Sequence, residues 1–289
     1  MQGIVDRAWM VERLLPVEGE RRLAATRPSE DLEVYFGLGH KLRLKREPGV
    51  FEMSPAGLAL GACLVSSAGC AGQGQKLLDL GTGSGAHALL ARQLGYGPIH
   101  AADICERSII LARKNELINF SRGNISFSVS DLFERIPVTG FEKILFNPPG
   151  WRTPSDSLMS RLSTHAETAL PAHAMFFGDQ VLLRFLYSLP NFLSETGSAL
   201  VGLNSMVGVR DVLERYRQAY DGIPPLKYRL LERHTFPLFL YAPEWAEVAE
   251  SLYSDFEDWR KHGLSVYSSD GQGGLYWSYE IVEFSHAFR

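Results

Sequence analysis

The chain has 289 residues, of which 45% are hydrophobic and 21% charged, so it can bury a substantial core and is not extensively disordered. Its net charge of -4 makes nucleic acid an unlikely partner, because a broad basic surface is missing. Its three cysteines lack Cys-x-x-Cys spacing, so no metal site is predicted. The first residues are too charged for an export signal and no apolar stretch is long enough for a membrane span, so a cytoplasmic protein with no membrane contact is expected.

The first 55 residues are predicted to form an extension, made of a helical lid and a β-hairpin. Apolar residues recur at helical spacing before residue 30. Alternation at residues 34–36 and 42–44, separated by glycines, predicts a hairpin with one face in water. Ser54 followed by Pro55 is typical of a helix start, with serine as the N-cap.

Residues 56–289 are predicted to form the second domain, in which short apolar runs alternate with amphipathic segments from residue 76 onward. This pattern predicts an α/β fold, a Rossmann-like, doubly wound and mostly parallel seven-stranded sheet with a C-terminal helix and strand addition. The helices are predicted near residues 84–95, 106–120, 178–194 and 208–220, with a buried helical stripe from Trp245 to Trp259. The seven strands are predicted near residues 76–80, 98–103, 125–130, 142–147, 198–204, 235–241 and 275–284.

A glycine-rich turn follows the first strand of this sheet. Gly81, Gly83 and Gly85 permit positive φ and close approach of a ligand, as in nucleotide-binding loops. With Ala86 the same letters also satisfy the dinucleotide fingerprint, so nicotinamide binding stays open at this point. Asp103 follows about 20 residues later, where its carboxylate can accept hydrogen bonds from ribose hydroxyls.

Two further aspartates favour S-adenosylmethionine (SAM) over a dinucleotide. Asp79 lies two residues before the first glycine, where a carboxylate suits the cationic amine of SAM and is poorly suited to a phosphate. Asp131 follows the third strand beside Leu132 and Phe133. There its carboxylate can accept a hydrogen bond from the exocyclic amine of adenine.

The sequence Asn147-Pro148-Pro149 follows the apolar end of the fourth strand. Prolines supply no N–H, which leaves the Asn147 side-chain oxygen and the Pro148 carbonyl as acceptors. Two such acceptors suit an amino or amide nitrogen, whose lone pair then turns toward the sulfonium methyl of SAM. The metal-free chemistry needs no strong base, because the thioether is already a good leaving group.

Together these motifs resemble the class I SAM-dependent methyltransferase superfamily, and within it the HemK-like release-factor glutamine methyltransferases and their small-domain relatives. The resemblance assigns catalysis to Asn147 and Pro148, and we add Trp151 as a ring near the acceptor. The residues expected to bind SAM are Asp79, Gly81, Gly83, Gly85, Asp103, Ile104, Asp131, Leu132 and Asn147.

The chain departs from the family pattern at Gly150, where related amine and amide methyltransferases carry an aromatic residue. The leading hypothesis is a SAM-dependent methyltransferase acting on nitrogen of a small molecule or amino-acid-like acceptor, with a protein substrate also open. In a second hypothesis SAM alone is the substrate and is cyclised to azetidine-2-carboxylate, or its aminocarboxypropyl arm is transferred, releasing methylthioadenosine. A third is a non-catalytic SAM- or RNA-binding module.

Overall fold

The computed structural model describes residues 31–68, 73–164, 172–238, 245–271 and 274–288. The helical lid predicted before residue 30 lies outside the described residues. Within them, none of the helices is long and apolar enough to cross a bilayer.

The predicted hairpin is confirmed. Strands β1 (Leu32–Gly37) and β2 (His40–Leu44) pair antiparallel, with one face buried and the other in water. The first helix, α1 (Pro55–Ala68), follows, and Ser54 Oγ accepts a hydrogen bond from the Gly57 N–H at 3.2 Å, which confirms the predicted N-cap. The buried face of the hairpin belongs to the same apolar core as α1.

A predominantly parallel sheet forms the centre of the molecule, and the predicted α/β, Rossmann-like class is confirmed. The order is β5-β4-β3-β6-β7-β10-β8, with β9 paired to β10. Neighbours from β5 to β7 run parallel, whereas the pairs made by β10 are antiparallel. The strands of this sheet are β3 (Leu77–Leu80), β4 (Ile99–Asp103), β5 (Ile125–Val129), β6 (Phe141–Phe146), β7 (Leu193–Asn204), β8 (Leu226–Pro237), β9 (Tyr267–Ser269) and β10 (Leu275–His286).

The sheet has eight strands where seven were predicted. The additional strand, β9, has three residues and is too short to show a periodic pattern. Strand β8 was predicted to begin near residue 235 but begins at Leu226. It has charged residues at Lys227 and Arg229, which is typical of an edge strand and hides the alternation that sequence patterns rely on.

Helices cover both faces of the sheet, as a doubly wound fold requires. Leu77 and its neighbour Leu78 point into different apolar clusters, one on each face. The predicted burial of the C-terminal helical stripe is confirmed at Val248, Leu252 and Phe256. The helices after α1 are α2 (Ala86–Gln93), α3 (Glu106–Asn119), α4 (Asp156–Thr164), α5 (Ala172–Met175), α6 (Gly178–Ser188), α7 (Val209–Gln218) and α8 (Trp245–Lys261).

A buried carboxylate fastens α3 to the strand that follows it. Glu116 Oε1 accepts hydrogen bonds from Arg92 Nη1 at 2.6 Å and from the backbone N–H groups of Asn124 and Ile125 at 2.7 and 2.9 Å. The Glu116 side chain is only 4% exposed. Charge-assisted bonds of this kind fix where β5 begins, and β5 leads directly to Asp131.

Replacement of Glu116 by glutamine is expected to lower the free energy of unfolding by about 2 kcal/mol, because charged hydrogen bonds in a buried site become neutral ones. Urea unfolding followed by circular dichroism measures this difference. The exposed Glu195→Gln variant is the matched control and should unfold like the wild type. Equal stability of Glu116→Gln and the control would show that this carboxylate does not fasten β5.

Candidate active site

A cleft of about 1070 Å³ opens at the carboxyl edge of the parallel strands. In the register of β3 with its two neighbours, Leu80 lies opposite Ala102 of β4 and Phe146 of β6. The residues that follow on these strands, Asp103 and Asn147, therefore reach the same edge as the glycine loop. Ligands of open α/β sheets bind at this edge.

The glycine loop has a backbone that other residues adopt with strain. Gly81, Gly83 and Gly85 have φ values of 62°, 54° and 87°, all in the left-handed region. A Cβ at Gly85 would also lie 2.9 Å from the Cβ of Ala112. The loop thus presents backbone to the cleft, and Gly81 and Gly83 line it as predicted.

Asp79 lies beneath this loop, away from the cleft wall. It is 1% exposed, and its Oδ2 accepts hydrogen bonds from Thr82 Oγ1 at 2.6 Å and from the Ala88 N–H at 3.1 Å. Burial raises the pKa of the Asp79 carboxyl. The structure therefore gives Asp79 a supporting position, in which it joins the loop to the start of α2.

Asp103 lies on the floor of the cleft at the end of β4. Its Oδ2 accepts a hydrogen bond from the Gly83 N–H at 2.9 Å, and its Oδ1 accepts one from the Cys105 N–H at 2.8 Å. Burial raises the pKa of the Asp103 carboxyl, while the two backbone N–H groups counteract part of that rise. Each oxygen has a further lone pair for a ligand hydroxyl. The neighbouring Ile104 is 65% exposed and lines the cleft.

Asp131 and Leu132 line the cleft beyond Ile104. Asp131 Oδ2 forms an ion pair with Arg184 Nη2 at 2.9 Å, a contact from α6 that the sequence did not reveal. Leu132 has φ of 46°, in the left-handed region. Ser130 Oγ donates a hydrogen bond to the Leu132 carbonyl at 2.9 Å and so braces this turn. The predicted adenine-binding residues are thus brought together with the glycine loop and Asp103.

Asn147 lines the cleft with both prolines that follow it. Its Oδ1 accepts a hydrogen bond from the Tyr279 hydroxyl at 2.8 Å. Burial strongly raises the pKa of Tyr279, which is 1% exposed, so the hydroxyl keeps its proton and acts as the donor. Tyr279 lies on the C-terminal strand β10, far from Asn147 in the sequence, and sequence reasoning missed it.

The expectation for Trp151 needs correction. Trp151 is 2% exposed, and its ring makes edge contacts with Phe176 and Phe256 at centroid distances of 5.1 and 5.2 Å. A ring held in this aromatic cluster has little surface left for an acceptor. Trp151 therefore supports the wall of the cleft, and the predicted role as an aromatic residue stacked on the acceptor is not supported.

The position after the second proline is filled from another strand. A Cβ at Gly150 would lie 2.5 Å from Asn204 Nδ2, so the Asn204 carboxamide occupies the space of the missing side chain. Asn204 Oδ1 accepts a hydrogen bond from the Met206 N–H at 2.9 Å. Asn204 ends β7 and lines the cleft, where it supplies a polar amide in place of the aromatic ring typical of the family.

The part of the cleft next to Asn147 is predominantly apolar. Among the side chains that the structure describes there, none carries a charge. Sequence reasoning placed the shaping of this part in residues 151–178 and both chain ends, without naming residues. The apolar side chains of this wall are Met159, Leu162, Met175, Leu238, Trp277 and the ring of Tyr279.

The chain matches known proteins in both sequence and fold. Residues 41–177 match the methyltransferase small domain family. Over 177 residues the chain is 30% identical to a protein of Methanocaldococcus jannaschii assigned as a protein N5-glutamine methyltransferase, a match that covers 61% of this chain and 83% of that protein.

Two other relatives match over shorter stretches. The release factor glutamine methyltransferase of Lactococcus lactis is 40% identical over 75 residues, 26% of this chain and 27% of that enzyme. A tRNA1(Val) (adenine(37)-N6)-methyltransferase of Vibrio campbellii is 32% identical over 100 residues, 34% of this chain and 42% of that enzyme. The chain thus spans less than half the length of these two relatives.

Two solved structures share the fold. One, assigned as a SAM-dependent methyltransferase of Streptococcus mutans, has a TM-score of 0.50 at 13% identity, covering 89% of this chain and 57% of that one. The other, assigned as a methyltransferase and complexed with S-adenosylhomocysteine, has a TM-score of 0.52 at 14% identity with the same coverage. From the archaeal relative and the family match, the chain belongs to the class I SAM-dependent methyltransferases of the small-domain type, with SAM as cofactor.

Proposed function

We propose that the chain methylates an amide or amino nitrogen of an amino-acid-like acceptor, in a protein or in a small molecule. The observation that carries the proposal is the position of Asn147, whose Oδ1 lies on the cleft wall at the same sheet edge as the glycine loop. Relatives named for glutamine and for adenine N6 both act on planar nitrogens that carry hydrogens. A nucleobase nitrogen therefore belongs among the acceptors to be tested.

The nucleoside half of the cleft is proposed to hold SAM through backbone and acidic groups. When bound, SAM supplies an electrophilic methyl group on a sulfonium centre. The glycine loop leaves room for the methionine part, because it adds no side chain to the cleft. The free lone pairs of Asp103 accept the ribose hydroxyls, and Ile104 and Leu132 enclose the adenine, whose amine is accepted by Asp131.

The acceptor half is proposed to orient a nitrogen for attack. Asn147 Oδ1 has two lone pairs, of which one receives the Tyr279 hydroxyl and the other is available for an N–H of the acceptor. The Pro148 carbonyl takes the second N–H. These two bonds fix the direction of the nitrogen lone pair and stabilise the positive charge that develops on the nitrogen. The proton leaves after the new N–C bond has formed, so no base is required.

SAM affinity is expected to weaken as the pH is lowered, because a protonated Asp103 accepts fewer hydrogen bonds. Since burial raises the pKa of Asp103 above 3.8, this loss begins at a higher pH than for an ordinary aspartate. Asp103→Asn should bind SAM about tenfold or more weakly at neutral pH and lose most of the pH dependence. Calorimetric titration of SAM across the acidic range measures both effects.

The matched control for this prediction is Asp258→Asn, an exposed residue of α8 that does not line the cleft. It should bind SAM like the wild type at every pH. Unchanged SAM affinity in Asp103→Asn would contradict the proposed ribose contact.

The product of the reaction tests the proposed function. Incubation of the enzyme with SAM and a panel of acceptors (glutamine-containing peptides, free amino acids, amines and tRNA) should release S-adenosylhomocysteine together with one nitrogen-methylated product, as measured by mass spectrometry. Asn147→Ala should reduce this turnover about 100-fold while SAM binding changes little, because the lost contacts orient only the acceptor.

The control for the asparagine variant is Asn191→Ala, at an exposed site away from the cleft, which should keep full turnover. Methylthioadenosine as the nucleoside product would instead support cyclisation of SAM or transfer of its aminocarboxypropyl arm. SAM binding with no product from any acceptor would speak for a non-catalytic module.

A further inference from the structure

The hydrogen bond between Tyr279 and Asn147 spans a strand that lies between them. Asn147 follows the end of β6, Tyr279 lies on β10, and β7 runs between these two strands. Tyr279 pairs with Asn204 of β7, and Phe146 pairs with Val201, so Gly202 is the β7 residue beside Asn147. The Tyr279 side chain must pass over Gly202 to reach the asparagine.

Gly202 makes this passage possible because it has no side chain. A Cβ built on Gly202 would overlap the Tyr279 hydroxyl and the ring carbon that bears it. The φ of Gly202 is not in the left-handed region, so the backbone itself does not demand glycine here. The close approach of the tyrosine is therefore the structural reason for a glycine in the middle of β7.

The ring of Tyr279 is held on both sides by other aromatic residues. It meets Trp277 edge-on at a centroid distance of 6.1 Å and Phe236 at 6.3 Å. A ring packed this way keeps one orientation, and its hydroxyl points at one lone pair of Asn147 Oδ1. The amide plane of Asn147 is thereby fixed before any acceptor arrives.

We propose that Tyr279 is a positioning residue for methyl transfer, which holds the Asn147 carboxamide in the orientation that receives the acceptor nitrogen, and that Gly202 is the gap through which it acts. The proposal rests on the proposed function. Tyr279, Gly202 and Asn204 all lie outside residues 41–177, the part that matches the small-domain family. This chain therefore supplies the alignment of Asn147 from its own C-terminal strands.

Tyr279→Phe tests the proposal because it removes only the hydroxyl and keeps the ring in its packing. The dissociation constant of SAM should stay within about twofold of the wild type, whereas kcat for the acceptor identified by the product assay should fall about tenfold. Tyr216→Phe is the matched control, since Tyr216 is also a buried tyrosine, packs against Tyr220 and does not line the cleft. It should leave kcat unchanged.

A spectroscopic measurement separates positioning from a general structural effect. In protein labelled with ¹⁵N-asparagine, the Asn147 carboxamide signal is assigned by its loss in Asn147→Asp. In Tyr279→Phe this signal should shift and its protons should exchange faster with water, while the other asparagine signals stay in place. Gly202→Ala, which displaces the same hydroxyl, should reproduce the shift and the loss of kcat.

The outcomes are distinguishable. Tyr279→Phe with wild-type kcat, or with an unmoved Asn147 signal, would overturn the positioning role while leaving methyl transfer intact. Wild-type protein that transfers no methyl group to any nitrogen would remove the proposed function, and this proposal with it. If Gly202→Ala fails to fold, Tyr279→Phe alone decides.

Discussion

The parallel register of β3 with β4 and β6 is the constraint on which the cleft depends. Because Leu80 lies level with Ala102 and Phe146, the residues that follow all three strands emerge at one edge of the sheet. The supporting bonds are buried: Asp79 joins the glycine loop to α2, and Asp103 holds the Gly83 N–H. The floor of the cleft is therefore fixed by backbone pairing and is preorganised for a nucleoside.

The second half of the cleft has a different origin. Antiparallel pairing of β10 with β7 brings Tyr279 and Trp277 to the same edge, and Asn204 fills the space beside Gly150. These residues lie outside the family match, whereas the glycine loop, Asp103 and Asn147 lie inside it. The division fits a family in which SAM is held in a common way and the acceptor end differs from one enzyme to another.

Sequence reasoning succeeded where a motif lies directly at a strand end, as at Gly81, Asp103 and Asn147. It failed where contacts come from strands that are distant in the chain: nothing in the sequence links Tyr279 to Asn147, or Asn204 to Gly150. Trp151 was expected beside the acceptor because it follows the prolines, but the nearby aromatic residues bury it. The charged edge strand β8 was placed too late because exposed charges obscure strand periodicity.

The most direct test of this account is a crystal structure of the enzyme with S-adenosylhomocysteine. The account predicts that the ribose hydroxyls contact Asp103, that the adenine lies between Ile104 and Leu132, and that the sulfur faces Asn147, with the hydrogen bond from Tyr279 intact. A nucleoside bound away from Asp103, or a sulfur turned away from Asn147, would contradict it.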